Sequence, residues 1–425
     1  MKIIIMLVFL SASLAYAQKF TLSELITQSE THSPLLDPNK AKIDYADQAN
    51  ALATSYYFPV FNFTQRYTES NNPVQAFGMK LMREDFTMQD FALDKLNNPD
   101  KTKAHQSSFT LYVPLDVFGN IRTQKKIINH QKESVLFEGQ WIKKEIKKNL
   151  TALYHAYFSL DDLQKFFISE NDFLQKIVRT YDSKSKENKN RYLSYNQARI
   201  LIDSLQEGIE TLTNEKTKLL KEISYISGIE QLELERQSIQ NVDIPNLSSR
   251  PLARYDLKSM HKYVEALEAE ISKEKMAYFP ELSAFGQYNL TRENFSDTAG
   301  KDTTIGAQLS WTFGLSTVKN VSLSRAKSLQ ARYEYKNKER RAETEIDLQA
   351  KELDKMHKKL RHLENRHKIF SENKNILNFQ YQRGSVELYN LLDNFTYYIQ
   401  NYSDLMKLGA EYQAQLATYV QNFQE

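Results

Sequence analysis

Eight histidines and no cysteine bound the metal and thiol chemistry open to this chain. His357, His362 and His367 follow one another at steps of five residues. On a helix that spacing turns successive side chains by ~140°, so the three share no face and make no metal site. Zero cysteines remove zinc fingers, thiol catalysis and disulfides. The chain has no His-Glu-x-x-His, no Gly-x-Ser-x-Gly and no phosphate-cradling glycine loop. Lys143, Lys144, Lys147 and Lys148 repeat at i,i+4, which suits a solvated helix face better than a nucleic-acid patch. Lys and Arg number 56 against 53 Asp and Glu, and that balance is no nucleic-acid footprint either. The expectation is therefore no catalytic group, no metal, no cofactor and no nucleic acid. Function must come from the elements themselves.

The N-terminus sets the compartment. Lys2 precedes an apolar run, Ile3 to Leu10, and small residues that end in Ala15-Tyr16-Ala17. That pattern is a secretory signal peptide over 1–17, cleaved after Ala17. No cysteine follows the cleavage site, so no lipid anchor is expected. The run is too short for a spanning helix of ~20 residues, and no later stretch reaches ~18 apolar residues. The mature chain is then either soluble or a membrane β-barrel.

Only 11 Gly and 9 Pro stand among 425 residues, which argues against a turn-rich sandwich and against a disordered chain. No proline lies between Pro114 and Pro245 or after Pro280, so two tracts are open to very long helices. Ile142, Ile146, Leu153, Tyr157, Leu160, Phe167, Leu174 and Val178 keep a period near 3.5 residues. So do Ile346, Leu353, Met356, Leu360, Leu363, Phe370 and Leu377, and so does a stripe from Leu388 to Phe423. A sustained period of ~3.5 residues means coiled-coil packing. The chain also repeats itself. Tyr57-Phe58-Pro59 returns as Tyr278-Phe279-Pro280, and Phe118-Gly119 returns as Phe313-Gly314.

Around these marks lie four alternating runs. Phe61, Phe63 and Tyr67 alternate with Asn62, Thr64 and Arg66, and Phe109, Leu111, Val113 and Leu115 form a second apolar set. Leu282, Ala284, Tyr288 and Leu290 form a third; Ile305, Ala307, Leu309, Trp311 and Phe313 form the fourth. Period-2 runs with one apolar face are strands, long enough here for a tilted outer-membrane strand or for soluble hairpins.

The expected fold class is mainly α with a small β part, in two tandem helix-strand-strand-helix repeats. Repeat one covers 18–228, with strands near 60–68 and 107–116, an outer loop over 69–106, a long helix over 119–184 and a helix over 190–227. A linker follows over 229–250. Repeat two covers 251–425, with a helix over 251–277, strands near 281–291 and 303–312, a long helix over 315–382 and a helix over 386–423. A long helix of about 65 residues measures ~98 Å. Four strands cannot close a spanning barrel, because the smallest have about 8. An open sheet in lipid leaves backbone groups unpaired at a cost on the order of several kcal/mol each. A membrane reading therefore requires several chains, and three would bring twelve strands.

At this point the mature chain resembles the TolC family of outer-membrane channel proteins. Tyr278-Phe279-Pro280-Glu281-Leu282-Ser283 is similar to the family's run into its third strand. Tyr381 to Asp393, with Gly384, Ser385, Glu387, Leu388, Leu391 and Leu392, is similar to the run that opens its last helix at the periplasmic tip. Asn72-Pro73 through Gly78 and Leu96 to Pro99 resemble the first outer loop in part of the family. The resemblance implies a homotrimer with a 12-stranded β-barrel in outer-membrane lipid, continued by a periplasmic α-helical barrel. It implies an exit duct for small molecules such as drugs or metal ions, working with a periplasmic adaptor and an inner-membrane pump of RND or ABC type. Type I protein secretion is the alternative within the same fold. A periplasmic coiled-coil adaptor is the remaining reading, and two sets of strands with aromatic ends speak against it.

The resemblance also implies sites. Asp393 matches an acidic residue at the closed periplasmic entrance, where three copies would form a ring that selects cations; on any exposed helix it would be an ordinary solvated carboxylate. Asn390 stands where the family carries a second acid. Tyr381 matches a tip tyrosine that holds the closed state, with Arg383 and Arg191 as candidate partners. Leu193, Ser194, Gly384, Ser385 and Leu388 lie at the tips that would meet the adaptor. Gly384 is expected as the turn residue, Ser385 as the N-cap and Leu388 at the third helical position. The first-half tip, Lys184 to Arg199, lacks the family's glycine.

Overall fold

The computed structural model describes residues 18–180, 189–237 and 254–423. The expected signal peptide, residues 184–188 of the first-half tip and most of the linker lie outside the described residues. The chain divides into two compact units. One comprises the N-terminal segment to Lys40, Phe137–Leu257 and Asn337–Glu425; the other comprises Ala41–Leu136 and Lys258–Lys336. In chain order the elements are β1 (Gln18–Phe20), α1 (Leu22–His32), α2 (Asp37–Ser55), β2 (Val60–Ser70), α3 (Pro73–Met82), α4 (Leu93–Asn97), β3 (Thr102–Leu115), α5 (Asn120–Arg179), α6 (Lys189–Ser227), β4 (Leu232–Leu234), α7 (Tyr255–Met276), β5 (Glu281–Arg292), β6 (Gly300–Ser310), α8 (Leu315–Gln382) and α9 (Leu388–Gln421).

The first unit is helical. Its packed seams follow the 3.5-residue stripes. Leu353, Met356 and Leu363 of α8 bury against Leu405, Leu408, Tyr412, Leu416 and Tyr419 of α9. Ile146 and Leu150 of α5 and Ile223 and Ile226 of α6 bury with Phe20, Leu25 and Leu36. That cluster sits beside a short parallel pair in which Gln18 faces Leu232 and Phe20 faces Leu234. Three-residue strands leave no periodic trace, so sequence patterning passes over them.

The second unit carries an antiparallel sheet in the order β2-β3-β5-β6. Phe63 faces Phe109, and Phe109 faces Tyr288 across the next ladder. The Phe63 and Phe109 rings lie 5.0 Å apart. The other parity is polar. The Ser108 hydroxyl donates to Asn289 Oδ1 at 2.7 Å, and the Asn289 amide donates to Asp302 at 2.7 Å. The sheet is open: β2 and β6 are its edges. Phe61, Phe63, Ile305, Leu309 and Trp311 are exposed on or beside those edges. Such a row of unpaired backbone groups with apolar side chains is a template for another strand.

The segment between β2 and β3 is more ordered than a loop. Asn72 caps α3 by accepting from Val74 N at 3.1 Å and Gln75 N at 3.2 Å, and Pro73 takes the first helical position. Phe77, Phe86 and Phe91 meet edge to face. Buried Arg83 donates to Lys103 O at 2.6 Å and pairs with Asp85 and Glu293. At the other end, Asp116 closes β3 onto α5 by accepting from Ile121 N at 3.0 Å and Arg122 N at 3.1 Å.

Candidate gate and docking tip

The end of α8 in the helical unit shows why the chain turns where it does. Gly384 takes φ +73. Its N–H donates to Tyr381 O at 2.9 Å, and the Ser385 N–H donates to Gln380 O at 2.9 Å. That pair of bonds is a Schellman motif, with glycine at the left-handed position. The turn role of Gly384 is therefore present, while the N-cap falls elsewhere. Glu387, extended at φ −74 and ψ 150, is the residue that starts α9. Ser385 is occupied in closing α8, and Leu388 is the first residue of α9 rather than its third.

Leu388 is buried with Leu391, Leu392, Phe395 and Tyr398 of α9, Leu174 and Ile177 of α5, and Ala198 and Leu205 of α6. Ser194 is also buried. Leu388 belongs to the chain's own core, where α6 and α9 bury their apolar faces. Leu193, Gly384 and Ser385 are exposed. Asn390 and Asp393, separated by three residues, share the exposed face of α9 opposite that core. Among the described residues no cation lies within ion-pairing distance of Asp393.

Tyr381 is half-buried against the same core. Burial pushes its phenol above the usual tyrosine range, and the charge of Arg191 works against that shift. The Arg383 guanidinium, just past the end of α8, lies 4.0 Å from the centre of the Phe379 ring.

No protein-family model and no curated protein matches the sequence. Solved structures do match. The Campylobacter jejuni CmeC outer membrane channel aligns at a TM-score of 0.79 and 14% identity, over 95% of this chain and 85% of that one. The outer membrane protein VceC from Vibrio cholerae aligns at 0.76 and 13%, over 95% of each chain. The open state of the Neisseria gonorrhoeae MtrE outer membrane channel aligns at 0.72 and 10%, over 95% and 88%. The chain has the fold of the TolC-family channels.

In this TolC-like chain the helical seam near the tip also holds polar residues. Lys374 of α8 pairs with Glu170 of α5 at 2.5 Å, and both are largely buried. Its ammonium lies 4.5 Å from the Phe173 ring, 5.0 Å from Tyr398 and 5.7 Å from Phe395. His367 stacks on Tyr398 at 5.0 Å. The Asn394 amide donates to Phe370 O at 3.3 Å and ties α9 to α8. The signal for these residues was the step of seven between Leu363, Phe370 and Leu377. Each such step skips a seam position, and His367 and Lys374 occupy the two skipped here.

Proposed function

We propose that this chain is the outer-membrane exit duct of a tripartite transport system, passively conducting small molecules from an inner-membrane pump and a periplasmic adaptor to the outside. One observation carries the reading: a four-stranded antiparallel sheet with one apolar and one polar face, and with both edge strands unpaired. Closing that sheet in lipid needs more strands than one chain has, since spanning barrels begin at about 8. Three copies joined edge to edge bring twelve. The match to outer membrane channels over nearly the whole chain supports the same conclusion.

In this reading the helical unit is periplasmic. Asp393 and Asn390, on the outward face of α9, line the entrance, and three Asp393 carboxylates favour cations there. Tyr381, held between core and solvent beside Arg191, helps to fix the closed tip. Leu193, Gly384 and Ser385 are the exposed tip residues left to meet the adaptor. Residues 1–17 direct export, and the division into two tandem repeats reflects duplication of one helix-strand-strand-helix plan.

The absence of cysteine makes the test clean. A Ser385→Cys chain carrying a photo-crosslinker, expressed in living cells, is expected to capture a periplasmic adaptor identifiable by mass spectrometry. An adaptor belonging to a proton-driven pump supports small-molecule efflux, and one paired with an ABC transporter shifts the reading to protein secretion. Outer-membrane protein that captures no periplasmic partner overturns the placement of the tip.

A further inference from the structure

The second unit holds a cluster that the proposed duct does not use. His130 and Glu133 lie one turn apart on α5; His261, Lys262 and Glu265 lie within one turn on α7. The two helices are pinned beside the cluster, where the Ser134 hydroxyl donates to Ser259 O at 2.8 Å. One ligand atom from each of His130, Glu133 and Glu265 falls within 4.8 Å of the other two. His130 Nδ1 lies 3.1 Å from Glu265 Oε2 and 3.8 Å from Glu133 Oε2. His261 Nδ1 lies 3.4 Å from the other Glu265 oxygen.

Three details separate this cluster from a surface charge network. First, His130 Nδ1 is closed off from solvent and, among the described residues, has no hydrogen-bond partner, although Glu265 Oε2 is 3.1 Å away. Second, their separation matches the edge of a tetrahedral zinc site, which is ~3.3 Å for bonds of 2.0–2.1 Å. Third, a cation already bridges the carboxylates. Lys262 Nζ lies 2.9 Å from Glu133 Oε2 and 3.0 Å from Glu265 Oε2. The ammonium is a tethered monovalent occupant of a place where two carboxylates and an imidazole converge.

We propose that His130, Glu133 and Glu265 form a binding site for a divalent transition-metal ion of the zinc type, which enters by displacing the Lys262 ammonium. Imidazole nitrogen and carboxylate oxygen are a borderline donor set that suits Zn²⁺ better than Ca²⁺ or Mg²⁺. Two ligands come from α5 and one from α7, so the ion would staple the helices together. His261, already against the second Glu265 oxygen, orients that carboxylate or completes the coordination. Lysine and metal exclude one another, so Lys262 sets the affinity: wild type binds weakly, and loss of the lysine charge exposes the site.

The test uses the full chain in detergent, titrated with Zn²⁺ by calorimetry and scored by thermal unfolding. Lys262→Met is expected to bind one Zn²⁺ per chain at least about tenfold more tightly than wild type, with a rise in unfolding temperature on zinc addition. Adding His130→Phe or Glu265→Gln to Lys262→Met should weaken binding by about 100-fold and remove the thermal shift. Ca²⁺ and Mg²⁺ should do neither. Circular dichroism of each apo variant separates loss of ligand from loss of fold. Equal binding by Lys262→Met and wild type, or binding that survives loss of His130 and Glu265 singly, overturns the proposal.

Discussion

The Glu170–Lys374 pair gives the sharpest energetic test of the helical seam. Lys374 is 13% exposed and Glu170 only 7%. A contact pair at an effective dielectric of about 20 attracts by ~6 kcal/mol, but desolvating two ions costs several kcal/mol each. The pair is therefore close to balanced as it stands, and removing one partner leaves the other uncompensated. The two deletions are not equivalent. Lys374→Met leaves a buried carboxylate, which costs ~3–5 kcal/mol. Glu170→Gln leaves the ammonium among the Phe173, Tyr398 and Phe395 rings, and a desolvated cation over an aromatic face recovers up to ~2 kcal/mol. The expected cost of Glu170→Gln is thus ~1–3 kcal/mol. The double variant should fall well short of the sum. Guanidinium unfolding of the detergent-solubilised chain, followed by circular dichroism, reads all four corners of the cycle. Equal losses for the two single variants would refute the role of the rings, and additive losses would refute the coupling.

Three further outcomes follow from the same geometry. Gly384→Ala should cost ~1–2 kcal/mol in thermal unfolding, since φ is +73 and no atom crowds the new methyl group; Gly228→Ala should cost more, because its methyl group would strike the His32 carbonyl. Burial and the Lys374 charge hold His367 below its ordinary value of 6.5, so the unfolded chain takes up that proton more readily. The stability present above about pH 6.5 should be lost as pH falls towards the depressed folded value, and unfolding temperatures of His367→Phe should depend less on pH across that window. In planar bilayers, Asp393→Asn should shift the reversal potential under a salt gradient towards lower cation preference, while a wild-type potential unchanged by the substitution would remove Asp393 from the conduction path.

Long-range pattern was the legible part of this chain. Pro-free tracts and the 3.5-residue stripes mark the helices that became α5, α6, α8 and α9, because a sustained seam leaves a repeating trace. Alternation at Phe61–Tyr67 and Ile305–Phe313 marks edge strands with one apolar face for the same reason. Short or irregular structure left less. The β1–β4 pair has three residues a side, and α3 sits inside what reads as a loop, although Asn72-Pro73 is a helix start in plain view. The tip was half legible. Gly384 announces a left-handed turn, but the cap passed to Glu387 because Ser385 is spent on the Schellman bond to Gln380. Leu388 reads as a surface residue until α6 and α5 are packed over it. His130 and Glu265 carried no sequence signal as a pair, since their meeting depends on how α5 and α7 fold together.

The central claim is that this sheet closes only with copies of itself, in the outer membrane. Native mass spectrometry of protein extracted from outer-membrane fractions tests it most directly. The expected result is a detergent-dependent species with the mass of three chains. A monomer that stays soluble without detergent would contradict the account.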